Sequence, residues 1–90
     1  NLGIEEVEGQ SLEMYPNPAK TNLHIRFNEY ATGEPIRFEI FDAQQRLIKN
    51  GSFEKQEIEE VISVEDLQAG SYLIQFSIHD KLFQKHFIKL

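Results

Sequence analysis

Tyr72-Leu73-Ile74-Gln75-Phe76-Ser77-Ile78 is the stretch that decides the fold class. Tyr72, Ile74, Phe76 and Ile78 share one parity, with Leu73, Gln75 and Ser77 on the other, the period-2 alternation of a strand with one buried face. The apolar parity is unbroken, which predicts a central strand. Downstream, His79-Asp80-Lys81 reads as a turn into a final strand, Leu82 to Leu90. That strand is apolar on both parities (Phe83 and Phe87; Leu82, Ile88 and Leu90), so pattern alone leaves its inner face open. Upstream, Gly70 supplies the positive φ expected where the central strand begins. Val64-Glu65-Asp66-Leu67 is long enough for one turn, with Leu67 plugging the core.

Similar signals recur towards the N-terminus. Leu12 to Tyr15 is a brief alternation halted by Pro16-Asn17-Pro18, whose prolines cannot donate ladder hydrogen bonds and force a bend at the rim. Leu23, Ile25 and Phe27 form a half-buried strand, and Tyr30 to Pro35 carries turn chemistry. Ile36, Phe38 and Ile40 form a second clean strand ending near Asp42. Asp42-Ala43-Gln44-Gln45 fits a tight hairpin turn into Arg46-Leu47-Ile48-Lys49. Asn50-Gly51 is the strongest turn dipeptide in the chain, because both residues tolerate positive φ. In Glu57 to Val64 the apolar parity of Ile58, Ile62 and Val64 is interrupted by Glu60, which predicts an edge strand. About seven short strands at near-regular spacing, with no amphipathic helix between them, indicate an all-β domain. The leading expectation is an immunoglobulin-like antiparallel β-sandwich over residues 12–90; a small closed barrel is the alternative. Residues 1–11, acidic with two glycines, read as a linker remnant.

Composition narrows the function. Ninety residues make one domain, and a chain of this size buries only ~60% of the surface its unfolded form exposes. The absence of Cys excludes a disulfide framework and thiolate metal sites. No apolar run approaches the ~18 residues of a membrane span, and no signal-peptide pattern opens the sequence. The chain is therefore expected to be cytosolic or a piece of a longer exported protein. A net charge of −6 argues against nucleic acid or an anionic membrane as partner. Acidic residues crowd 1–13 and 54–66, whereas the last ten residues carry Lys81, Lys85 and Lys89 with no acid after Asp80. That basic end reads either as a solvated strand face or as a docking surface.

The chemistry inventory is short. There is no phosphate-cradling glycine loop, nucleophile elbow or helix with paired histidines. His24, His79 and His86 are scattered over strand and turn positions, so neither a metal site nor a cofactor site is expected. Asp42 and Asp66 sit where turns need acceptors for backbone amides; a calcium site built on acidic loop oxygens stays open. No nucleophile, oriented base and pocket occur together, so an enzyme is not expected. Two constellations stand out. One is Tyr15-Pro16-Asn17-Pro18. The other is Asp66-Leu67-Gln68-Ala69-Gly70-Ser71-Tyr72, in which Tyr72 packs its ring inward while its hydroxyl seeks a backbone acceptor, as in a tyrosine corner.

Taken in order, Met14-Tyr15-Pro16-Asn17-Pro18-Ala19-Lys20, Leu23-His24-Ile25, Phe38-Glu39-Ile40-Phe41-Asp42, Asp66-Leu67 with Gly70 and Tyr72, and Lys85-His86-Phe87-Ile88-Lys89 resemble the C-terminal sorting domain (type A) of the type IX, or Por, secretion system of Bacteroidetes. The resemblance runs from about Leu12 to Leu90, and the basic-apolar end is expected to be a natural C-terminus. It implies a secretion signal attached in cis to an upstream cargo. The signal would be recognised in the periplasm by the outer-membrane translocon and its shuttle protein. A cell-surface sortase would then cleave it, in or before residues 1–11, leaving the cargo at the outer membrane and cell surface or extracellular. The positions it singles out are Pro16, Asn17, Pro18, Gly70, Tyr72, Lys85 and Lys89. Of these, Pro16, Pro18, Gly70 and Tyr72 are expected to shape the fold, and Lys85 and Lys89 to be exposed and read. Gln45 departs from the pattern, since relatives often carry Gly in that turn.

Two other readings compete. An Ig-like binding or spacer module for carbohydrate, calcium or protein would need an exposed aromatic platform, for which only Tyr30, Phe41 and Phe53 fall outside the core parities. Self-association would use an exposed edge strand, either Glu57 to Val64 or the C-terminal strand.

Overall fold

The computed structural model describes residues 5–6, 12–27, 35–53, 59–78 and 81–90. Alternation translates directly into strands: β1 (Glu5–Glu6), β2 (Leu12–Tyr15), β3 (Asn22–Phe27), β4 (Ile36–Phe41), β5 (Leu47–Phe53), β6 (Glu59–Ser63), β7 (Gly70–Ile78) and β8 (Lys81–Lys89). They form a five-stranded sheet ordered β1-β8-β7-β4-β5 and a three-stranded sheet ordered β2-β3-β6. All pairings are antiparallel except the two-residue β1, which runs parallel to β8. The fold is thus an all-β sandwich, as the strand spacing predicts. The predicted turns at 30–34 and 79–80, and Ile58, lie outside the described residues. Lys81 belongs to β8, opposite Ile78, rather than to the turn.

The inward parities of both sheets meet in one core. Leu23, Ile25 and Phe27 from β3 face Ile74, Phe76 and Ile78 from β7, and all six are buried. Phe27 and Phe76 meet edge to face at 6.2 Å and 88°, a favoured arrangement of aromatic quadrupoles. Phe76, Phe83 and Phe87 are among the largest fully buried side chains, each contributing about 1.5–3 kcal/mol by leaving water. β7 lies at the centre of its sheet, flanked by β8 and β4. On β8 the open question of the inner face resolves to the odd parity: Phe83 and Phe87 are 1% exposed, whereas Ile88 is 41% exposed. Leu67 is partly buried against the core, and its amide donates to the Val64 carbonyl at 3.0 Å, closing the single predicted turn.

The β4–β5 turn forms at Asp42–Gln45. The Gln45 amide donates to the Asp42 carbonyl at 2.9 Å, and Asp42 Oδ1 accepts from the amides of Gln44 (2.9 Å) and Arg46 (3.0 Å). Gln45 carries φ +66°, a left-handed conformation that favours glycine. The Asn50-Gly51 reading is corrected. These residues do not turn; they lie within β5, paired with Glu39 and Phe38. A Cβ on Gly51 would stand 2.8 Å from Phe38 Cε2 and Cζ. Glycine is required there by the close approach of the Phe38 ring, which also stacks on Phe53 at 5.5 Å.

The predicted edge strands are also partly revised. β6 is an edge, as expected. β8 is not one, because β1 pairs with it at Lys81 and Leu82 and Ala19 bridges Lys89. The far edge of the large sheet is β5.

Candidate functional site

Both constellations singled out in the sequence converge on the C-terminal end of β8. The proline bend delivers Asn17 alongside β8. Its side-chain amide acts as a short piece of strand: Oδ1 accepts from the Ile88 amide at 2.9 Å and Nδ2 donates to the His86 carbonyl at 3.3 Å. Two residues on, the Ala19 amide donates to the Ile88 carbonyl at 2.8 Å, and the Leu90 amide donates to the Ala19 carbonyl at 2.9 Å. The outer edge of β8 is thereby closed from His86 to Leu90. Pro16 and Pro18 are exposed and follow cis peptide bonds at Tyr15–Pro16 and Asn17–Pro18. Neither carries an amide N–H that would compete for the same acceptors.

The opposite edge of this strand end is held by β7, where Gly70 pairs with Lys89 and Tyr72 with Phe87. Gly70 has φ +155°, and nothing would crowd a Cβ there. The glycine is needed for its backbone conformation alone, as the sequence predicts. Tyr72 is buried and stacks on Phe87 at 5.4 Å, with ring planes 20° apart. Its hydroxyl donates to the Gln68 carbonyl at 2.5 Å, the backbone acceptor the corner required.

The lysines divide differently from expectation. Lys89 is only 8% exposed, which corrects the reading of it as an accessible charge. It falls on the inward parity of β8, so its stem lies along the core rim while Nζ donates to the Leu90 carbonyl at 2.9 Å. Lys85 shares that parity opposite Ile74 and is half-buried, and its ammonium has no partner among the described residues. Near Lys89, Asp66 accepts from Lys49 Nζ at 3.2 Å. That hydrogen bond is the main cause holding the Asp66 carboxyl below its ordinary value, and the Lys89 charge adds a smaller push the same way. Among the described residues no group of His, Asp or Glu is gathered to hold a metal ion. Among the described residues no helix is long and apolar enough to cross a membrane.

Sequence alone gave no individual role to Ala19, Gln68 or Glu59. Ala19 is fully buried, with its amide bonded to Ile88 in β8 and its carbonyl to Leu90 just beyond it. Gln68 contributes only a carbonyl. On the outer face of the small sheet, Tyr15, on the same exposed parity as Glu13, stacks on His24 at 5.2 Å and 6°. Glu59 ties both rings down: Tyr15 OH donates to Oε1 at 2.9 Å, and His24 Nδ1 lies 3.1 Å from Oε2. A carboxylate only accepts, so Nδ1 carries the proton. The Tyr15 hydrogen bond is the leading cause that lowers the Glu59 pKa, and the same bond raises that of Tyr15. Of the aromatics expected at the surface, Phe41 and Phe53 are half-buried, and Tyr30 lies outside the described residues.

This arrangement defines a small β-sandwich module whose distinguishing side chains secure one strand end from both sides. The chain belongs to the secretion system C-terminal sorting domain family, whose model matches residues 13–90; this is the type IX family that the motif order resembles, and its members are exported. No curated protein matches the chain. Among solved structures, the sulfur carrier protein SoxY from Chlorobium limicola f thiosulfatophilum aligns with TM-score 0.53 and 12% identity, over 99% of this chain and 84% of that one. At such low identity the likeness is one of fold alone.

Proposed function

We propose that residues 12–90 are the signal that sends an upstream cargo across the outer membrane through the type IX translocon, with residues 1–11 as the linker to that cargo. In this reading the domain is a substrate and not an enzyme. It meets the translocon and its shuttle protein in the periplasm, and a surface sortase removes it in or before the linker. The observation that carries the reading is the convergence of Asn17, Gly70, Tyr72 and Lys89 on the end of β8, in a chain whose family is defined by sorting. A strand end held this firmly presents one fixed surface to a receptor, which lowers the ordering cost of recognition.

The test fuses residues 12–90 to an exported reporter in a type IX-competent strain. Secretion of the reporter is expected. Retention in the periplasm, with an established sorting domain secreted in the same assay, would sink the proposal.

A further inference from the structure

The outer face of the small sheet carries a feature that the clamp does not use. Tyr15, His24 and Val61 stand in register across β2, β3 and β6. This row sets two exposed hydrophobic side chains, Tyr15 at 41% and Val61 at 50%, on either side of the His24 ring. The neighbouring row on the same face is Glu13, Arg26 and Glu59, the charged surface expected of a solvated sheet. Glu59 reaches across to fix the two rings of that row. Those rings are therefore held in place before any partner arrives, as interface anchors are.

The row leads into a groove of about 290 Å³ between Pro16, Pro18, His24 and Leu90. Leu90 is 57% exposed. Lys20 stands in the groove wall, exposed and with no hydrogen-bond or ion-pair partner among the described residues. The groove's apolar walls are Pro16, Pro18 and Leu90, and Thr21, Asn22 and His24 make up its polar side. In a chain of net charge −6, an unpaired cation in such a mixed groove favours an acidic partner locally while the rest of the surface repels it.

We propose that this face, and not the lysines of β8, is the docking surface. Its occupant is a protein surface that inserts one apolar side chain into the Pro16–Pro18–Leu90 groove and sets a carboxylate against Lys20. The proposal rests on the sorting reading above and names the face that is read.

The experiment uses the same reporter fusion with four substitutions at exposed positions, each checked for an unchanged thermal melt. Val61→Lys and Lys20→Glu are expected to lower the secreted fraction about tenfold, the effect of losing one good contact. Lys20→Arg keeps the charge, and Ile48→Lys alters another exposed apolar residue, on β5; both are expected to secrete within about twofold of the parent. Parental secretion by Val61→Lys and Lys20→Glu overturns this face while leaving the sorting reading intact. A loss in Ile48→Lys matching that in Val61→Lys overturns it as well. If the parent fusion is itself retained, the sorting reading and this proposal fall together.

Discussion

The large sheet ends in two very different ways. At one side, β8 has its outer edge covered at both ends, by β1 at Lys81 and Leu82 and by Asn17 and Ala19 from His86 to Leu90. At the other, β5 pairs only with β4 among the described residues, and it buries none of its seven residues completely. An unpaired edge is ordinarily the hazard a β protein must manage. Asn17, Ala19, Gly70, Tyr72 and Lys89 all lie at or beside the C-terminal end of β8, and no comparable clamp covers β5 among the described residues. The difference teaches that the two edges of one sheet are held to very different degrees.

The largest contrast to test is between a side chain on each strand. Phe87→Ala should cost about 3–5 kcal/mol, because the ring is 1% exposed and stacks on Tyr72. Leu47→Ala on β5, 47% exposed, should cost less than about 0.5 kcal/mol. Urea denaturation of both variants checks the pair, and equal losses would break the comparison.

Next comes the clamp. Asn17→Ala leaves the Ile88 amide and the His86 carbonyl without their protein partners, an expected loss of about 1–2 kcal/mol. The diagnostic readout is hydrogen exchange. The Ile88 amide should lose protection, while amides of β4 and β5 keep theirs. A uniform loss of protection would mean that Asn17 supports the whole fold and not one edge.

A smaller effect of opposite sign is expected at the β5 side. Gln45→Gly removes the penalty of φ +66° at a non-glycine residue and should stabilise the domain by about 0.5–1 kcal/mol, net of the added freedom of the unfolded chain. A destabilised variant would show that the Gln45 side chain matters more than its backbone conformation.

The weakest effect is acid sensitivity. Asp42 is held below its ordinary value chiefly by the Arg46 backbone amide, Glu59 chiefly by the Tyr15 hydroxyl, and Asp66 chiefly by Lys49. A depressed folded-state pKa means that the unfolded chain takes up protons first. The stabilisation is therefore complete above the ordinary carboxylate range of about 4 and declines as pH falls through the folded values. Midpoints of thermal melts should be flat from about pH 6 to 5 and fall below about pH 4. Asn replacing Asp42 should flatten part of that fall; an unchanged acid limb would remove Asp42 from the account.

These contrasts also mark how much was legible in the residues. The parities of β3, β4 and β7 were readable, because which side chains face the core follows from a two-residue period within each strand. Gly70 and Tyr72 were readable for a similar reason, since the turn and its acceptor Gln68 lie within a few residues. Asn50-Gly51 misled because the dipeptide signals a turn only when nothing else claims the glycine, and Phe38, on the neighbouring strand, does. Lys89 misled because β8 is apolar on both parities, so the pattern did not say which face carried the charge inward.

The sequence by itself determined an all-β domain, most of its core residues and the motif order that marks a sorting domain. Only the tertiary structure decided that β5 is an edge and the C-terminal strand is not, and it showed that Asn17 closes β8 across 69 and 71 residues of chain. It also placed Tyr15, His24 and Val61 in one exposed row. The physical reason is that strand alternation is written by neighbours along the chain. Edges and clamps, by contrast, are set by sheet order and register, which join segments that share no local pattern.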